Sequence, residues 1–123
     1  MEFKYSSNMK KSPVISKGYR IAEFEDIEVF RNRMKNFGEN TIECTDHTFF
    51  RLGEKQKKEF TCDMLKSFLL NEIPLKVGIQ INRNYAVYYK YPSNRIIKIV
   101  VSFKPSLLRT VTFMMLDKEQ LPR

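Results

Sequence analysis

Pro74 divides this chain into two parts that follow different periods. After it, Val77–Ile81, Tyr85–Tyr91, Ile96–Phe103 and Leu107–Leu116 are rich in β-branched and aromatic residues, the side chains that fit a pleated surface. Only Asn82-Arg83-Asn84, Pro92-Ser93-Asn94 and Pro105-Ser106 separate them. Connections this short join antiparallel neighbours, because a parallel crossover needs a dozen residues or more. A four-stranded antiparallel meander is therefore expected. Alternation is imperfect along Arg95–Val101, as expected for a central strand with little solvent contact.

Before Pro74 the spacing is helical. Phe24, Ile27, Phe30, Met34 and Phe37 recur at intervals of three and four, which predicts a helix over residues 23–37 with one apolar face. Its acids lie in the first turns and its bases in the last, complementing the helix dipole, and Gly38 is its stop. Asn40–Cys44 reads as a short strand. A second helix follows, capped by Thr45 or Asp46 and shortened by Gly53. A third covers roughly 62–71, with Thr61 as cap and Met64, Leu65, Phe68 and Leu69 as its apolar face. Residues 1–18 are expected to be weakly ordered, and 19–123 to form one domain. The expected fold is α+β: two or three N-terminal helices packed on a four-stranded antiparallel meander.

A chain of 123 residues is too short for a TIM barrel or a complete dinucleotide-binding domain. It is long enough to bury about two-thirds of its unfolded surface without a disulfide or metal. Cys44 and Cys62 are too few for a disulfide scaffold and are expected to be small, buried or half-buried residues. No apolar run approaches the length of a membrane span, and no hydrophobic leader follows Met1. A cytoplasmic protein is the expectation.

Charge narrows the function. The chain carries +8 overall, and residues 73–116 account for +7 of it through Lys76, Arg83, Lys90, Arg95, Lys98, Lys104 and Arg109, with no acid among them. Unopposed like charge destabilises a compact state, so a stretch of one sign suggests a polyanion partner, most commonly nucleic acid. A basic solvated face with no partner is the plainer alternative. His47 is the only histidine, and a lone histidine is more often structural or exposed than catalytic. Arg51 follows at the helical i+4 spacing, which puts both side chains on one helix face. A guanidinium there disfavours the imidazolium form and is suited to hold a phosphate.

The order of elements here, a short strand, then a helix opening Thr45-Asp46-His47-Thr48-Phe49-Phe50-Arg51, then a meander ending Leu108-Arg109-Thr110-Val111-Thr112-Phe113, resembles the RelE-like domains of the barnase–EndoU–colicin–RelE ribonuclease superfamily. The likeness is to an uncharacterised branch with a His-x-x-x-Arg helix, and it spans roughly residues 41–116. It implies metal-free RNA cleavage by attack of the ribose 2′-oxygen on the adjacent phosphate. His47, Arg51 and Thr112 match the family's histidine, helix arginine and last-strand hydroxyl. Gly53 and the run Lys55-Gln56-Lys57-Lys58 depart from the pattern, and residues 1–40 lie outside it.

That chemistry needs a base, an acid and cations around the phosphorane. One histidine cannot be both acid and base, so the second proton carrier would be a tyrosine of 85–91 or a sheet lysine. Lys76, Arg83, Tyr89, Lys98 and Arg109 are the residues expected to hold RNA, with bases stacking on aromatic rings. Core packing is the commoner role for such tyrosines, and solvation for each cation taken singly. Neither a metal nor a cofactor is expected. The leading expectation is a metal-independent endoribonuclease or toxin, whose antitoxin would cover the sheet. The alternatives are a nucleic-acid-binding protein without catalysis, and a basic face that docks an acidic protein.

Overall fold

The computed structural model describes residues 18, 20–49 and 59–123, with no side-chain placement for Asp46 or His47. Strand β1 (Ile21–Phe24) leads into helix α1 (Ile27–Met34). Strand β2 (Ile42–Cys44) is followed by a 3-10 turn at Asp46–Phe49, and helix α2 spans Cys62–Asn71. Four longer strands complete the chain: β3 (Lys76–Gln80), β4 (Tyr85–Tyr91), β5 (Arg95–Lys104) and β6 (Leu107–Asp117). A last 3-10 turn covers Lys118–Gln120.

The six strands of the described residues form one sheet in the order β1-β3-β4-β5-β6-β2. Consecutive strands from β3 to β6 pair antiparallel, as do β1 and β3, whereas β2 runs parallel to β6. This corrects the expected fold in two respects. The sheet is mixed and six-stranded, not a four-stranded antiparallel meander, because the N-terminal part supplies a strand at each edge. The helices do not form an N-terminal group that precedes the sheet. There are two in the described residues, both short, and they alternate with β1 and β2.

The physical reason lies in the sheet edges. An outer strand leaves a row of unpaired N–H and C=O groups that must be satisfied. At β3 the chain from Arg20 to Glu25 does this, with Ile81 N–H donating to the Arg20 carbonyl at 2.9 Å and Glu25 N–H donating to that of Val77 at 2.9 Å. Glu23 and Phe24, which fit a helical period, are thereby drawn into β1. Helix α1 starts later, where Asp26 Oδ1 accepts from the N–H groups of Glu28 at 2.8 Å and Val29 at 3.4 Å. The helix expected after Thr45 is a 3-10 turn up to Phe49, and its remainder lies outside the described residues. Helix α2 occupies the expected place, with Thr61 Oγ1 accepting from Met64 N–H at 3.2 Å.

Both helices lie on one face of the sheet. Phe30 and Met34 of α1 and Leu65 and Leu69 of α2 pack against Val77, Val87, Tyr89, Ile97, Ile99, Val101 and Leu108. On the other face a smaller buried set, Ala86, Tyr88, Ile96 and Val100, is flanked by Ile21, Val111, Leu116 and Leu121. Gly78 sits beneath Ile21, and a Cβ there would stand 2.8 Å from Ile21 Cδ1. Any larger residue would force β1 off β3 unless the isoleucine turned aside.

Cys44 and Cys62 are joined in a disulfide, with Cα atoms 5.9 Å apart and a sequence separation of 18. The two cysteines are half-buried, as expected of small residues, and the bridge, which was not expected, ties the end of β2 to the start of α2. Among the described residues no helix is long and apolar enough to cross a membrane.

Candidate nucleic-acid interface

Strand parity decides which cations share a surface. Side chains alternate across a strand, and residues paired between strands point to the same face. Lys76 pairs with Tyr88, Tyr88 with Lys98, and Lys98 with Met114. These four make one row across β3, β4, β5 and β6 on the face away from the helices. Phe24 lies beside the row from β1, with Lys76 Nζ 4.5 Å from its ring centroid. From β1 to β6, cationic side chains therefore alternate with an aromatic ring or a thioether. The next rows add Lys90, Ser102 and Lys104 to the same face by parity.

The members differ in accessibility. Phe24 and Met114 are 42% and 46% exposed, whereas Tyr88 is only 2% exposed. Lys98 is half-buried, with Nζ 5.9 Å from the Tyr88 centroid, and burial lowers its pKa. Burial likewise raises the Tyr88 phenol. A cation over an aromatic face is attracted by the ring quadrupole, so Tyr88 supports Lys98 from below, and Phe24 is the exposed ring available for stacking.

Arg109 reaches this face from the β6 end. Its Nε donates to Glu43 Oε2 at 2.6 Å, with both side chains about two-fifths exposed (43% and 41%). Glu43 of β2 thereby neutralises the cation nearest the sheet edge. Thr112 also faces this side, paired with Val100. Val101 pairs with Thr110, so Val111 is an extra residue in β6, a bulge of the kind that re-aims side chains.

The turn that carries His47 docks at this bulge. Thr48 is buried, and its Oγ1 donates to the Thr110 carbonyl at 2.8 Å and lies 3.4 Å from that of Val111. The His47 backbone is thus held one residue from a group touching β6, immediately before Thr112. Arg51 lies outside the described residues.

Two expected RNA contacts are placed elsewhere. Tyr89 points to the helix face, 1% exposed, with its ring 5.4 Å from that of Phe68. Arg83 sits in the β3–β4 turn at φ 72°, beside Glu23 at 3.7 Å, away from the row. Lys76, Lys98, Thr112 and Arg109 do share one face. Sequence reasoning assigned Phe24 to a helix; Tyr88 and Tyr89 are both buried, at 2% and 1% exposed, and differ in the face they occupy. Lys90 held the clue: a polar residue in an otherwise apolar strand marks the more open face, and Tyr88 has its parity.

Compared with known proteins, the chain matches no family model, no curated protein and no solved structure.

Proposed function

We propose that the face of the sheet away from α1 and α2 binds RNA. The observation that carries this reading is the Lys76–Tyr88–Lys98–Met114 row with Phe24 beside it, in a stretch of chain without an acid. Strands about 4.8 Å apart put the two lysines roughly 10 Å from each other, a spacing that meets a polymer of phosphates better than one small anion. An exposed ring next to a cation suits an unpaired base stacked above its own backbone. The test is binding of a single-stranded oligoribonucleotide over a salt series. Phosphate contacts require affinity to fall steeply with salt, by a log–log slope of about 0.7 per contact. A salt-independent affinity, or none, ends this reading in favour of an acidic protein or no polyanion at all.

The docking of the His47 turn on β6 favours a second reading, in which bound RNA is also cut. There His47 would take the 2′-OH proton, Arg51 would neutralise the phosphorane, and Thr112 would position the phosphate. This is the chemistry that the resemblance to the barnase–EndoU–colicin–RelE superfamily implies, and with it an antitoxin with an acidic amphipathic segment over the same face. Cleavage in EDTA that leaves 2′,3′-cyclic phosphate ends, and that His47→Ala abolishes while binding persists, supports it. Binding without cleavage, with or without ribosomes, leaves the first reading alone. The cytoplasmic setting belongs to this proposal, and thiol–disulfide pairs in that compartment are usually reversible.

A further inference from the structure

We propose that the Cys44–Cys62 disulfide is a redox-controlled latch on β2, the edge strand that holds Glu43 against Arg109. Strand β2 has three residues and, among the described residues, pairs with Leu108–Thr110 alone and lies at the end of the sheet. A ladder this short is the kind of element that opens locally at low cost. Its last residue is bonded to the first residue of α2, and α2 is fixed in the core by Leu65 and Leu69. The bridge therefore clamps a weak edge to a strong helix. Both cysteines are half-buried, not sealed in the core.

The step balances simply. A dithiol supplies two electrons and two protons, the Sγ–Sγ bond becomes two thiols, and the dithiol leaves as its own disulfide. Strand β2 then depends on its short ladder with Leu108–Thr110, on Ile42 in the core, on the Thr48 hydroxyl bonded to the Thr110 carbonyl, and on the half-exposed Glu43–Arg109 pair. Opening it withdraws Glu43 and adds the Arg109 charge to the face away from α1 and α2. That last consequence, stronger RNA binding on reduction, rests on the proposed function; the latch itself does not.

Hydrogen exchange without nucleic acid tests the latch, on oxidised protein, on protein reduced with dithiothreitol, and on a C44S/C62S variant. The expected result is that β2 amides speed up roughly tenfold or more beyond any acceleration they share with β4 and β5, as local opening requires. Equal acceleration throughout would make the bridge a general staple and overturn the proposal. So would no change at β2, or two free thiols titrated in the untreated, denatured protein. Binding is read separately. Reduction should steepen the salt slope for a single-stranded oligoribonucleotide by about 0.7, one phosphate contact, and Glu43→Gln should show the steeper slope even when oxidised. If RNA is not bound in any redox state, the proposed function fails while the exchange result stands.

Discussion

Tyr89→Phe should make this protein more stable, although it removes a polar group from the heart of the fold. The Tyr89 ring is packed against Phe68 and is 1% exposed, and its hydroxyl is buried with no hydrogen-bond partner among the described residues. A buried hydroxyl without a partner costs about 1–3 kcal/mol. Phenylalanine keeps the ring and its packing while removing that cost, so a gain of about 1 kcal/mol is expected, a rise in Tm of roughly 4 °C. Tyr89→Ala removes the ring as well and should cost about 3–5 kcal/mol. The pH dependence gives an independent check. Burial chiefly, with the charge of Glu72 adding and that of Arg31 opposing, holds the phenol protonated well above its ordinary range. Above about pH 10 the unfolded chain releases this proton and the native chain keeps it, so wild-type stability falls as pH rises. The phenylalanine variant lacks that loss, and its advantage should widen by up to about 1.4 kcal/mol per pH unit there. Urea unfolding at pH 7 and at pH values above 10 measures both effects. A loss of more than about 1 kcal/mol in Tyr89→Phe at pH 7 would show that the hydroxyl is satisfied, and would refute the reasoning.

Three other outcomes follow from the same structure. Reducing the disulfide frees a loop with a sequence separation of 18, which should lower global stability by about 3 kcal/mol and Tm by roughly 10 °C in calorimetry. Lys76→Ala with Lys98→Ala should reduce the salt slope of RNA binding by about 1.4 if each lysine meets one phosphate; an unchanged slope would take the row out of the interface. Leu65→Ala, at a fully buried position between α2 and the sheet, should cost about 2–5 kcal/mol by denaturant unfolding. A loss below 1 kcal/mol would mean that the site collapses around the smaller side chain.

Much of the scaffold was legible before any coordinates. The strand segments after Pro74 announce themselves by β-branched and aromatic runs between turn residues. Helix α2 does so by its Thr61 cap and apolar face. What was hidden lay in short segments. Ile21–Phe24 is too brief to display a period, and Phe24 also fits the helical spacing of α1, whereas Ile42–Cys44 lies within the expected short strand and only its parallel pairing with β6 was hidden. Both pair with partners more than fifty residues away, whose open edges they fill. Of the candidate site, the cations were readable as an unopposed run, whereas the choice between Tyr88 and Tyr89 needed the face on which the helices settle. The bridge between Cys44 and Cys62 was invisible for a similar reason, since spacing along the chain does not say which Cβ atoms meet.

Local chemistry by itself therefore determined where strands 3 to 6 and α2 form, that the excess charge rides on those strands, and that Thr61 caps α2. These are effects of neighbours within a few positions, and a sequence displays them directly. The first helix, by contrast, starts after an Asp26 cap and ends at Met34, short of the expected Gly38 stop. Only the tertiary structure decided that the sheet has six strands among the described residues, that Tyr89 is core while Tyr88 underlies Lys98, that Glu43 meets Arg109, and that the turn at Asp46–Phe49 rests on the Thr110 and Val111 carbonyls. Each of these depends on which distant segments satisfy an open backbone edge or an apolar face, a choice made by the whole chain at once.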